Sequence, residues 1–140
     1  MIAKFENRVI GSVRLKPLRF REFIGAEDYG LDQLAEFIGF QPDELMSTVA
    51  AVDRFVFAKD FRRGRVLYRR LKDELEYQAV SLNVQVLVGA VNFEDTRLRV
   101  FYRRFLGYQE YPVVGNKEGA RFQCFYLLLK DCLDGSNVRD

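Results

Sequence analysis

Residues 84–91, Val-Gln-Val-Leu-Val-Gly-Ala-Val, are almost continuously apolar and rich in β-branched side chains. A run this short and of this composition reads as a strand, and its lack of apolar–polar alternation means that both its faces are buried. A strand covered on both faces needs a layer of other elements on each side, which commits the chain to a layered architecture. The segment before it supplies one cover. Arg65 to Ser81 carries Val66, Leu67, Leu71, Leu75 and Ala79 on one stripe, with Arg69, Lys72, Asp73 and Glu76 opposite. That spacing predicts a helix packed by one face.

The rest of the chain fills in around this pair. Residues 2–7 and 9–15 alternate apolar and polar about Glu6-Asn7, which predicts a β-hairpin whose second strand ends at Pro17. Residues 16–29 show no clear period and read as a loop. Leu31, Leu34, Phe37 and Ile38 predict a short amphipathic helix over 31–39, stopped by Gly39. A second helix starts at Pro42, where proline suits a first turn, and runs to Thr48. Residues 51–58 read as a strand. Thr96 to Leu106 reads as a helix stopped by Gly107, and Glu110 to Val114 and Phe122 to Leu129 as two strands joined by a turn over 115–119. The order ββ(αα)βαβαββ is that of an α/β fold: a mixed sheet, mostly antiparallel, with helices on its faces.

Several function classes are excluded early. With 140 residues the chain is a single domain, residues 1–140, large enough to bury most of its apolar surface unaided. A net charge of +2 gives the whole molecule no strong attraction to nucleic acid or to an anionic membrane. No charged-then-apolar leader and no apolar run near membrane-spanning length stands in the sequence, so a cytoplasmic location is expected. The chain has no His, which removes Ser-His and Cys-His nucleophile pairs and most zinc chemistry; no metal is expected. Cys124 and Cys132 lack the spacing of a zinc site or redox pair and read as reduced thiols.

The stretch from Asp53 to Tyr108 carries the functional signal. It opens with Asp53-Arg54-Phe55-Val56-Phe57-Ala58-Lys59-Asp60-Phe61-Arg62, passes through Arg63-Gly64-Arg65 into a helix, and closes on Phe101-Tyr102-Arg103-Arg104-Phe105-Leu106-Gly107-Tyr108. In order and in these residues it resembles the acyl-donor-binding half of the GNAT N-acyltransferase superfamily. The resemblance implies a protein that moves an acyl group from a pantetheine thioester to an amine. A complete domain of that family begins with one further strand and helices that have no counterpart in this reading. An uncovered sheet edge invites pairing, so a homodimer is expected.

Carried over residue by residue, the resemblance gives Asp53 the acidic position of the central strand and a role as general base, directly or through water. Its bland rival is an ion pair with Arg54 or with an arginine of the neighbouring strand. Val56, Phe57 and Ala58 fall where a splayed strand offers its backbone to pantetheine, whose amides pair like an added strand. Arg62 matches the first position of the family's Q/R-x-x-G-x-G/A diphosphate turn, and Arg63, Gly64 and Arg65 continue that turn. The two glycine positions hold Arg65 and Leu67, with Gly64 one place early. Tyr102 stands at the family's tyrosine position, the proton donor to the departing thiolate; its rival role is that of a core aromatic. No cofactor is bound permanently, since acyl-CoA or an acyl carrier protein serves as donor substrate.

The altered glycines favour one branch of the superfamily, the acyl-homoserine-lactone and N-acyl amino acid synthases. These take acyl chains from acyl carrier protein, which presents phosphopantetheine alone. Gly11-Ser12-Val13-Arg14-Leu15, the helical insertion before the central strand, and the five steps from Tyr102 to Gly107 resemble that branch. Carrier proteins are acidic, and Arg62, Arg63, Arg65, Arg69 and Arg70 form a complementary cluster. Leu34, Phe37, Ile38, Phe40 and Leu45 could line a tunnel for an acyl tail or fill the core. Two further readings stay open: a non-catalytic module of this fold that binds a small apolar or acyl ligand, and an interaction factor that uses the arginines. The second lacks the aromatic–basic interleaving of RNA-binding modules.

Overall fold

The computed structural model describes residues 2–5, 8–17, 29–57, 65–117 and 119–129; over 2–11, 53–57 and 65–68, and at Val113 and Lys117, the description is of the backbone. Six strands among these residues form one sheet in the order β1-β2-β3-β4-β6-β5. The hairpin of β1 (Ile2–Phe5) and β2 (Arg8–Pro17) opens the chain as expected. Helix α1 (Leu31–Ile38) ends on Gly39, whose φ of 79° takes the left-handed conformation that glycine adopts without strain. Helix α2 (Pro42–Thr48) carries proline in its first turn and runs directly into β3 (Val49–Phe57). Helix α3 (Arg65–Ser81) then crosses over to β4 (Val86–Asn92), which lies parallel to β3; all other pairings are antiparallel.

The central run behaves as its composition requires. From Val86 to Val91 every β4 residue but the half-buried Ala90 is buried, and its side chains alternate between two cores. Leu87 and Val91 join Ala50, Val52, Leu71, Leu75, Ala79, Tyr102, Leu106, Tyr108 and Phe125 on the α3 side. Val86 and Val88 join Leu34, Leu45, Val49, Ala51, Tyr111, Cys124 and Tyr126 on the side of α1 and α2. Leu34 and Leu45 are completely buried, whereas Phe37 is exposed. The apolar stripe of α1 and α2 therefore fills a core, each full leucine burial worth about 1.5–3 kcal/mol, and does not line a tunnel. Leu71, Leu75 and Ala79 realise the expected α3 stripe; Val66 and Leu67 are described in backbone alone.

Several boundaries differ from the sequence expectation; β3, expected over 51–58, begins at Val49 directly after α2. Strand β4 starts at Val86 because Asn83, with φ of 61°, closes the preceding turn. The helix expected over 96–106 is α helix only in α4 (Thr96–Val100) and continues as a π-turn over Phe101–Phe105. Its start is fixed by Asp95, whose carboxylate accepts the Leu98 N–H at 3.1 Å. The expected 115–119 turn is tighter, since β5 (Gln109–Lys117) and β6 (Ala120–Leu128) pair as far as Lys117 with Ala120, and Gly119 takes φ of 80°. Polar residues there face solvent on an edge strand, so polarity alone did not mark the strand's end.

Strand β5 is irregular. Between the pairs Glu110–Phe125 and Val114–Gln123 it advances four residues against two on β6. The buried Gln123 amide spans the gap, donating to the carbonyls of Tyr111 at 2.8 Å and Cys124 at 3.2 Å. The Tyr111 hydroxyl in turn donates to the Tyr29 carbonyl at the start of α1. Burial, and after it the neighbouring Cys124, pushes the Tyr111 phenol above its ordinary pKa. Cys124 is a buried free thiol, as expected; Cys132 lies outside the described residues. No helix among the described residues is long and apolar enough to cross a membrane.

Candidate functional site: a fork between two parallel strands

The sheet forks at its centre. Strands β3 and β4 pair only over Val49–Ala51 and Val86–Val88. Beyond that point each stays with its other neighbour: β3 with β2 as far as Phe57, and β4 with β6 as far as Asn92. The result is two strand edges that diverge from a common base. A bulge accompanies the divergence. Arg14 pairs with Asp53 and Ser12 with Val56, so two steps along β2 match three along β3 and the extra residue lies on β3 between Asp53 and Val56. Bulges of this kind increase twist and bend the strand that carries them. Past Ala51 the backbone of β3 keeps its pairing with β2 and, among the described residues, no longer pairs with β4.

Tyr102 sits at the base of the fork. It is buried, on the α3 side of the sheet, with its ring edge-on to Tyr108 at 5.4 Å, edge-on to Phe101 at 6.2 Å and tilted against Phe125 at 5.5 Å. A Cβ on Gly89 would lie 2.8 Å from its Cε1, 3.6 Å from its Cζ and 3.6 Å from the Val52 carbonyl oxygen. The hydroxyl-bearing end of the ring therefore lies on the backbone of β4, where β3 and β4 part. The π-turn brings it there. Leu106 N–H reaches back to the Phe101 carbonyl at 3.1 Å, a five-residue step, and Tyr108 N–H bonds the Tyr102 carbonyl at 3.0 Å. Gly107, with φ of 78°, ends the turn as expected. The five steps from Tyr102 to Gly107 are thus the sequence trace of a widened turn, a feature frequent at functional sites.

Helix α4 is braced onto the sheet at the far end of β4. The Arg99 and Arg121 guanidinium carbons both stand 4.5 Å from the Phe93 ring centre. Arg99 also reaches Glu110 at 3.4 Å, and Arg121 reaches Glu94 at 3.3 Å. Exposed cation–π contacts of this sort contribute about 0.5–1 kcal/mol.

The expected site residues are placed unevenly. Tyr102 is at the fork. Asp53, Val56 and Phe57 lie on β3 beyond the fork's base, described in backbone; the register sets Asp53 opposite Arg14, the neighbouring-strand arginine of the rival reading. Arg65 is the first residue of α3, also in backbone only. Ala58, Arg62, Arg63 and Gly64 lie outside the described residues. Arg69 and Arg70 are exposed on α3. Gly89 and the Val52 carbonyl were missed by sequence reasoning. The available signal was a lone glycine inside a β-branched strand, which marks a close backbone approach.

Neither a family model nor a curated protein sequence matches the chain. Solved structures do. A putative acetyltransferase of the GNAT family from Desulfovibrio desulfuricans has a TM-score of 0.63 at 14% identity over 91% of this chain and 66% of its own. Ribosomal-protein-alanine N-acetyltransferase from Brucella melitensis has a TM-score of 0.57 at 20% identity, covering 91% of this chain and 66% of its own. The CoA-dependent acyl-homoserine lactone synthase BjaI, solved with SAM and isopentyl-CoA, has a TM-score of 0.62 at 17% identity over 99% of this chain and 62% of its own. The chain thus spans about two thirds of the length of these structures. Similarity at such identities is a similarity of fold, and the fold of this chain is that of the GNAT acyltransferases.

Proposed function

We propose that the chain is an N-acyltransferase-like protein that moves an acyl group from a pantetheine thioester, acyl-CoA or acyl carrier protein, to a small-molecule amine. The observation that carries this reading is the fork between β3 and β4 with Tyr102 at its base. An open strand edge suits the amide-bearing pantetheine arm, which pairs with backbone as an added strand does. We assign Val56, Phe57 and Ala58 to that edge and Arg62, Arg63, Gly64 and Arg65 to the phosphate end of the arm, on the resemblance of their sequence to the family's turn.

The chemistry follows from what the residues can do. The amine nitrogen attacks the thioester carbonyl carbon while a backbone N–H of Val56 or Phe57 holds the developing oxyanion. Asp53, or a water it orients, takes the amine proton. The C–S bond then breaks and Tyr102 gives its proton to the leaving thiolate. Net, the acyl group moves to nitrogen and one proton moves from amine to thiol, so no resident cofactor is required. The homodimer and the cytoplasmic location expected from the sequence belong to the same reading.

The test is thiol release from acetyl-, longer acyl-CoA and acyl carrier protein thioesters in the presence of an amine panel. Turnover that falls by about 10²–10⁴-fold in Tyr102→Phe supports the reading. Saturable binding of an acyl thioester with no thiol release would replace it with the binding-module reading, which the loss of glycine at positions 65 and 67 favours.

A further inference from the structure

We propose that Gly89 is a positioning residue that sets the depth at which the Tyr102 phenol sits in the fork; this rests on the acyltransferase reading above. Along β4 the side chains facing the α3 core are those of Leu87 and Val91, and position 89 between them belongs to the same face. There the strand carries no side chain, and the Tyr102 ring occupies the space. The fit is one-sided. A methyl group at 89 would sit 2.8 Å from Cε1 of Tyr102, inside contact distance, but 3.6 Å from the Val52 carbonyl oxygen, where it would be tolerated. The strand has room for an alanine; the phenol does not.

The surroundings fix where the ring would go. Tyr108 and Phe125 pack against it on the helix side and the β6 side, and the π-turn over Phe101–Phe105 holds its backbone. An alanine at 89 would push the Cε1 edge of the ring away by roughly 0.7–1 Å to restore carbon–carbon contact, and the phenol on the adjacent Cζ would turn with it. Proton transfer needs heavy-atom separations of about 2.6–3.2 Å, and displacements near 1 Å can cost on the order of 10² in rate. Donor binding to the β3 edge would be left in place, because the methyl clears the Val52 carbonyl.

The experiment is a four-member kinetic cycle of wild type, Gly89→Ala, Tyr102→Phe and the double variant, with circular dichroism to check folding. Phenylalanine keeps the ring and hence the clash, but has no proton to give. Gly89→Ala is expected to lower kcat by about 10²-fold, to leave KM for the thioester within about threefold, and to change the rate of the Tyr102→Phe protein by less than about twofold. Equal losses in both backgrounds would overturn the proposal and leave Gly89 a packing position. A wild-type protein without thioester turnover would overturn the acyltransferase reading itself, and with it this inference. If Gly89→Ala fails to fold, Gly89→Ala/Phe125→Leu gives the displaced ring room on the β6 side. The same pattern is expected of it, and the same equal losses would refute it.

Discussion

Replacing Gln123 by leucine removes a bridge that the irregular edge strand depends on. The amide is buried and donates to two carbonyls, those of Tyr111 at 2.8 Å and Cys124 at 3.2 Å. It stands where β5 advances four residues against two on β6, so the ladder itself does not supply these bonds. Leucine has a similar volume and would add apolar contact, but it takes this donor from the carbonyl of the buried Tyr111. That desolvation costs about 1–3 kcal/mol, more than the net worth of an ordinary hydrogen bond. In a domain of this size the loss should lower Tm by roughly 3–10 °C. Urea denaturation followed by circular dichroism measures it, with a midpoint shift at unchanged m-value expected. Tyr111→Phe, which loses the bond to the Tyr29 carbonyl, completes a cycle. Because both bonds hold residue 111, the two variants together should cost less than the sum of the separate losses. A Gln123→Leu loss under about 0.5 kcal/mol, the size of a neutral surface change, would refute the view that this amide holds the strand in place.

Two further outcomes are expected. The Tyr111 phenol is raised above its ordinary pKa of 10.0 by burial, with Cys124 adding to the effect; the native state therefore keeps its proton when the unfolded chain gives it up. Its contribution to stability is whole below pH 10 and declines above it by about 1.4 kcal/mol per pH unit, a slope that alkaline denaturation should find reduced in Tyr111→Phe. Native mass spectrometry of the protein alone and with acetyl-CoA, palmitoyl-CoA and acyl carrier protein should show a dimer retaining at least one donor. A species that ignores all three would mean that arginine and leucine at positions 65 and 67 abolish donor binding.

Much of the fold was legible because its signals are local. The unbroken run of 84–91 named a strand buried on both faces, and β4 is one. The stripe of Leu71, Leu75 and Ala79 named a one-sided helix, and Gly39 and Gly107 named two stops that require positive φ. Periods of two and 3.6 residues, and the conformational freedom of glycine, act within a few residues of the position that carries them. The resemblance singled out Tyr102 but did not say what packs around it; the structure buries its ring against Gly89, Tyr108 and Phe125.

What tertiary structure alone decided depends on backbones far apart in the chain. Where β3 leaves β4 is set by the bulge between Asp53 and Val56 and by which neighbour each strand keeps, and no periodicity encodes that choice. The stripe of Leu34 and Leu45 could serve a tunnel or a core; only the sheet beneath it closed the space. A helical period over 96–106 fits an α helix or one widened by a residue equally well; the structure takes the widened form over Phe101–Phe105, with Tyr102 packed on Gly89. The sequence determined the elements and their order, because these follow from how each segment partitions its own apolar surface. The fork, and the tyrosine seated at its base, arise only once those elements compete for the same neighbours.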